Sequence, residues 1–189
     1  MEEYQILKNI EKHISLSDLE KEHFMTCVKI KAIDRKSLIL RQGQICKSLF
    51  FVGSGSLRAF NINEDGKEST IMFAVKDWWI TDMYAFANQK PALLSIEAIH
   101  DCRLVEIDFY KMEVLYEKIP KFERLFRILF QKAYIREQLR ILENISLTTE
   151  ERYYNFVEKY PQIVEKITQR QIASYLGVTP EFLSSIKNK

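Results

Sequence analysis

Residues 168–186 read TQRQIASYLGVTPEFLSSI, a run whose side chains suit contact with a nucleic-acid duplex. Thr168, Gln169 and Thr179 carry hydroxyl and amide groups of the kind that hydrogen-bond phosphate oxygens, and Lys187 and Lys189 add positive charge. Glu181 offers an acceptor to a cytosine amino group, while Pro180, Ser184 and Ser185 complete the same outward face. Such residues act together only when held on two short helices at a sharp angle. Ile172 and Leu176 give the first helix an apolar face, and Ala173 is small enough for close helix approach. Gly177 then supplies a left-handed C′ residue, Val178 plugs the corner, and Thr179-Pro180 caps and opens the second helix. Leu183 and Ile186 continue the buried face. This layout is expected to be a helix-turn-helix that lays its second helix in a major groove. The competing expectation is a helical hairpin that docks a protein partner.

Other chemistry has weaker support. A jelly-roll metal oxygenase needs two or three convergent histidines and a carboxylate. The chain has only His13, His23 and His100, two of them in the N-terminal helical region, so no enzyme is expected. Cys27, Cys46 and Cys102 show neither disulfide nor metal spacing, which suits a reducing cytoplasm and predicts no metal and no cofactor. Trp78, Trp79, Met83, Tyr84 and Phe86 form an aromatic, apolar stretch that either lines a pocket for an unidentified effector or simply fills the core.

The elements that must position the C-terminal motif follow from periodicity. Of 189 residues 47% are hydrophobic, enough for a core, and a net charge of +2 leaves any nucleic-acid contact to a local patch. The start, MEEYQILKNIEKH, is amphipathic rather than a leader, and no apolar run reaches membrane-span length. Residues 2–26 read as two helices, the second opened by the capping box Ser17-Asp18-Leu19-Glu20. Short strands follow at Val28–Ile33, Leu38–Leu40, Leu49–Val52, Leu57–Ile62, Ser69–Val75, Leu93–Ile99 and Arg103–Ile107, with a short helix near 82–88. Tight turns between them, Asp65-Gly66 above all, predict an antiparallel barrel or jelly roll.

Asp108 is expected to cap a helix over 109–117, and Pro120 to open a long one reaching about Ile145. Its apolar residues fall on two stripes. Leu125, Ile128, Ile135, Leu139 and Leu142 keep a heptad rhythm suited to an identical helix in a homodimer; Phe122, Phe126, Leu129 and Ala133 are left to cover the barrel. Thr148 to Glu151 starts another helix that stops at Pro161. The expected fold is α+β: an antiparallel jelly-roll barrel over 1–119, a long dimerisation helix over 120–145, and a helix-turn-helix domain over 146–189.

Barrel, long helix and C-terminal helix-turn-helix, in that order, resemble the Crp/Fnr superfamily of bacterial transcription regulators. The residues carrying the likeness are Leu40-Arg41-Gln42-Gly43-Gln44, the run from Leu49 to Arg58, and Asp65-Gly66-Lys67-Glu68. The resemblance implies a cytoplasmic homodimer that senses a signal, binds double-stranded DNA and works with RNA polymerase. Cyclic-AMP receptors hold the phosphate with an arginine. Here Ala92, Leu93 and Leu94 stand at that place, and no arginine lies between Arg58 and Arg103, so a signal other than cyclic AMP is expected. Cys27 and Cys46 cannot supply the four thiolates of an iron–sulfur cluster. The family's recognition arginines are replaced by Pro180 and Ser185, with Glu181 matching, and no β-hairpin wing follows Ile186 in the sequence up to Lys189.

Overall fold

A computed structural model describes residues 2–164 and 166–187, with no side-chain description for Lys187. Two helices open it, α1 (Glu2–Glu11) and α2 (Asp18–Cys27). Ile6 and Ile10, one turn apart, are fully buried on the barrel. Ser17 caps α2: its hydroxyl accepts the Glu20 N–H, and the Glu20 carboxylate accepts the Ser17 N–H at 2.7 Å. Phe24 of α2 stacks on Phe122 with ring centres 5.2 Å apart, tying the N-terminal helices to the long one.

Among the described residues eight short strands then form two antiparallel sheets. One carries β1 (Val28–Ile33), β8 (Cys102–Asp108), β3 (Ser48–Ser54) and β6 (Trp79–Ile80) in that order. The other carries β2 (Leu38–Leu40), β7 (Ser95–Ala98), β4 (Ser56–Ile62) and β5 (Glu68–Val75). Consecutive strands often change sheet, which is jelly-roll connectivity, and Phe51, Val52, Leu57, Ala59, Ile96 and Leu104 fill the space between. The β3–β4 turn requires Gly55, at φ +84°: a Cβ there would stand 2.6 Å from Cys102 Sγ and closer still to the Asp101 carbonyl. The strands read from alternation are all present. β6 is an addition, a two-residue pairing of Phe50 with Ile80 and Phe51 with Trp79 that no alternation could reveal.

Helices α3 (Met83–Asn88), α4 (Phe109–Lys118) and α5 (Lys121–Ser146) follow, with Asp82 and Asp108 capping α3 and α4. At 26 residues α5 is roughly 39 Å long. Its two apolar stripes are not separate along their whole length, which corrects the sequence expectation. Leu125, assigned to the dimer stripe, is fully buried in the barrel core beside Phe122 and Phe126, and Ile128 is half-buried. Only beyond the first two turns does the helix leave its own core. Ile135, Leu139 and Leu142 are then 53%, 58% and 61% exposed, with Ile145 more open still. The change comes from where the barrel ends, a tertiary boundary that heptad spacing does not encode.

Three further helices, α6 (Thr149–Lys159), α7 (Gln169–Leu176) and α8 (Pro180–Lys187), close the chain. They share a second core with the barrel. Phe73 and Val75 of β5 and Ile99 pack with Phe156, Tyr160 and Ile163, and Phe73 meets the rings of Phe156, Tyr160 and Tyr175 at 5.5 to 5.7 Å. The C-terminal unit is therefore seated on the outer face of one sheet. Among the described residues no helix is long and apolar enough to cross a membrane.

Candidate nucleic-acid interface

The turn between α7 and α8 is built as its residue types demand. Thr168 caps α7: its hydroxyl accepts the Gln171 N–H at 3.2 Å, and the Gln171 side-chain oxygen accepts the Thr168 N–H at 3.0 Å. Gly177 takes φ +72° as the left-handed cap, and the Val178 N–H returns to the Ala173 carbonyl at 3.0 Å. Thr179 then caps α8, its hydroxyl accepting the Phe182 N–H at 3.2 Å. Ile172, Ala173, Leu176, Leu183 and Ile186 are buried, Ala173 completely. Arg152 of α6 locks the unit from behind, donating to the Leu176 carbonyl at 3.1 Å and to Asn144 Oδ1 at 2.7 Å.

On the outward side the structure brings Gln169, Thr168, Thr179, Glu181 and Ser185 to the surface, while Pro180 and Ser184 are half-buried. The Ser185 hydroxyl is engaged, donating back to the Phe182 carbonyl at 2.8 Å, so towards a base it can act only as an acceptor. Lys189 and the Lys187 side chain lie outside the described residues. Two exposed residues were not among the sequence candidates. Phe182 is 51% exposed on α8, one position off the Leu183–Ile186 stripe, and Arg170 is exposed on α7. An aromatic outside the buried periodicity was the available signal. Thr168, Arg170 and Pro180 also line a cleft of about 440 Å³, opposite Arg58, Lys67 and Glu68 of the barrel.

The barrel's buried arginine is internally committed. Arg58 is buried, with its Nη1 2.8 Å from Glu68, its Nη2 2.8 Å from Glu97, and its guanidinium over the Phe60 ring. The five aromatic and apolar candidates for a ligand pocket occupy three environments. Trp79 packs against Phe51 and Phe126 and donates to Asn9 Oδ1 at 3.3 Å; Phe86 is buried against Phe109. Trp78 bridges the two cores, touching Tyr160 and lying under Arg136 at 4.7 Å. Met83 and Tyr84 face outward. All three cysteines are buried free thiols, and burial pushes Cys102 up to about 11, so it stays protonated.

A jelly-roll barrel, a long helix and a helix-turn-helix follow one another in one chain, and known proteins share that order. The family described as the cyclic nucleotide-binding domain matches residues 30–118. The chain is 24% identical over 167 residues to an anaerobic regulatory protein of Aggregatibacter actinomycetemcomitans, covering 82% of this chain and 64% of that protein. It is 23% identical to the transcriptional activator protein anr of Pseudomonas aeruginosa, covering 82% and 68%. Among solved structures, the c-di-GMP responsive global regulator CLP of Xanthomonas campestris superposes with a TM-score of 0.75 at 14% identity, over 91% of this chain and 90% of that one. A regulator of the crp/fnr family from Eubacterium rectale gives 0.73 at 18% identity, over 92% and 82%. Over most of its length the chain is thus similar to regulators of the Crp/Fnr type, and it shares their fold. It spans 60 to 64% of the length of the first relatives.

Proposed function

We propose that this chain is a sequence-specific DNA-binding transcription regulator, active as a homodimer in the cytoplasm and responsive to a signal other than cyclic AMP. The observation that carries the reading is the α7–α8 unit. Its turn is fixed by Gly177 and Thr179, and its surface presents Gln169, Arg170, Glu181, Phe182 and Ser185 rather than an apolar patch. Double-stranded DNA is the partner such a surface fits, with Glu181 and Phe182 towards base edges and Gln169 and Arg170 towards phosphates.

The exposed apolar run Ile135, Leu139, Leu142 and Ile145 supports pairing of two α5 helices, which would carry two motifs to one near-palindromic site. Division into a sensor over 1–119, a connector over 120–145 and a DNA-binding unit over 146–189 is part of this proposal, as is docking to RNA polymerase. The names of its relatives, regulators and activators, favour the same reading. A cyclic-AMP signal is disfavoured because Arg58 is already paired with Glu68 and Glu97, and Ala92–Leu94 offer no cation.

Selection of bound sequences from a random DNA pool, at a fixed salt concentration, tests the proposal. The expected result is a near-palindrome with half-sites about 34 Å apart, one helical turn. No enrichment would leave the hairpin as a protein-docking element.

A further inference from the structure

A carboxylate taken out of water needs a cation or several N–H donors. Asp82 is 2% exposed, and among the described residues no cation pairs with it. One carboxylate oxygen accepts the Ala85 N–H at 3.1 Å, as the cap of α3 requires. The other has a second task. It accepts the N–H groups of two consecutive residues, Leu93 at 2.7 Å and Leu94 at 2.9 Å, eleven and twelve positions further on. Two successive amides aimed at one oxygen form an anion nest, the arrangement in which backbone holds a carboxylate or phosphate. Capping α3 uses neither of them. Around the nest Ala92 is buried, its N–H bound to the Gln44 carbonyl at 2.7 Å, and Ser95 accepts the Gln42 N–H at 3.0 Å. The Asp82 side chain thus holds the last part of the return from α3 to β7, at Leu93–Leu94, while backbone bonds to Gln44 and Gly43 hold Ala92 before it.

We propose that Asp82 is an internal ligand: its carboxylate occupies a backbone anion site at Leu93–Leu94 that would otherwise take the oxygen of a small carboxylate or phosphate. The barrel thereby holds residues 83–95 in place with no effector bound there, and the seated charge repels a phosphate-bearing molecule from the same spot. This inference does not depend on DNA binding.

Emptying the nest tests it. Asp82→Ala should lower the thermal midpoint by about 3 °C or more. Sodium formate or acetate, raised to about 0.2 M against chloride at equal ionic strength, should restore much of that loss in the variant and do nothing specific to the wild type. Inorganic phosphate serves as the tetrahedral probe. A variant as stable as wild type overturns the proposal, and so does a destabilised one that no small anion recovers, since Asp82 would then be only a cap. Where Asp82→Ala yields no soluble protein, Asp82→Asn is read by amide exchange. The neutral amide is a weaker acceptor, so the Leu93 and Leu94 amides should exchange about tenfold faster than in wild type. Unchanged exchange there would equally sink the idea.

Discussion

Ser174 accepts a hydrogen bond from the backbone N–H of Thr70 at 2.8 Å and donates one to the Glu68 carbonyl at the same distance. β5 is the last strand of its sheet, so those backbone groups face outward with no neighbouring strand to pair them. A helix side chain has taken the place of a strand, and Arg140 of α5 does the same for the Ile71 carbonyl. The barrel edge and the α7–α8 unit therefore share one hydrogen-bonded seam. Ser174→Ala leaves a donor and an acceptor of β5 unpaired, at a cost of about 1–3 kcal/mol. Denaturant unfolding should show that loss, and the Thr70 amide should exchange faster in the variant. If Thr70 exchange does not change, α7 is not seated on β5 in solution.

Position along α5 decides what an apolar residue does. Ile135 and Leu139 are more than half exposed, so Ile135→Lys with Leu139→Glu should leave a folded protein that sediments as a monomer. Leu125 is fully buried, and Leu125→Lys should unfold the chain instead, because an unpaired ammonium would be forced into the core. A dimer that survives the double substitution would place the interface elsewhere.

His100 makes stability depend on mild acid. Its Nδ1 lies 2.6 Å from Ser56 Oγ, and burial, followed by the positive charges of Lys166 and Arg35, holds it below the usual value of 6.5, against an opposing pull from Asp101. Above that value the ring is neutral in both folded and unfolded chains and contributes no pH dependence. As pH falls through it, the unfolded chain takes the proton first, so stability is lost. Urea midpoints should drop between pH 7 and about 5.5, and His100→Gln should flatten part of that slope. His13, lowered by burial and by Lys132 and Lys12, contributes in the same direction and keeps the remainder. Equal slopes in wild type and His100→Gln would show that the ring is not held neutral.

Much of the fold was legible because it rests on local rules. Val28–Ile33 and Leu38–Leu40 have the boundaries read from alternation, and the caps expected at Ser17, Asp108 and Thr179 are all formed. What escaped depended on distant partners. Leu125 has the same spacing as Leu139, yet one meets the barrel and the other meets solvent. Asp82 reads as an ordinary cap until the chain folds Leu93 and Leu94 back onto it. Trp78 and Trp79 are adjacent in sequence but serve different neighbours. Phe182 lies one position off the Leu183–Ile186 stripe, and that offset leaves its ring half in solvent.

The electrostatic part of the interface is separable from its reading part. Arg170 is exposed on the helix whose first turn faces the barrel cleft, and few other basic residues belong to the motif. With about two or three phosphates neutralised per half-site, the slope of log affinity against log salt for the dimer should be roughly −4 to −5. Arg170→Ala should weaken all sequences alike and make that slope shallower by about 0.9 for each phosphate no longer neutralised, hence by about 1.8 for a symmetric dimer. Glu181→Ala and Phe182→Ala should leave the slope alone and change base preference, at cytosine and thymine positions respectively, by about 1–3 kcal/mol where the side chain meets its base edge well. Fluorescence anisotropy on the selected site and its single-base variants, repeated at several salt concentrations, measures both quantities at once. If Glu181→Ala and Phe182→Ala leave base preference untouched, α8 is not the reading helix. If Arg170→Ala changes preference but not slope, its guanidinium reads a guanine edge, and the phosphates are held by other residues of the motif.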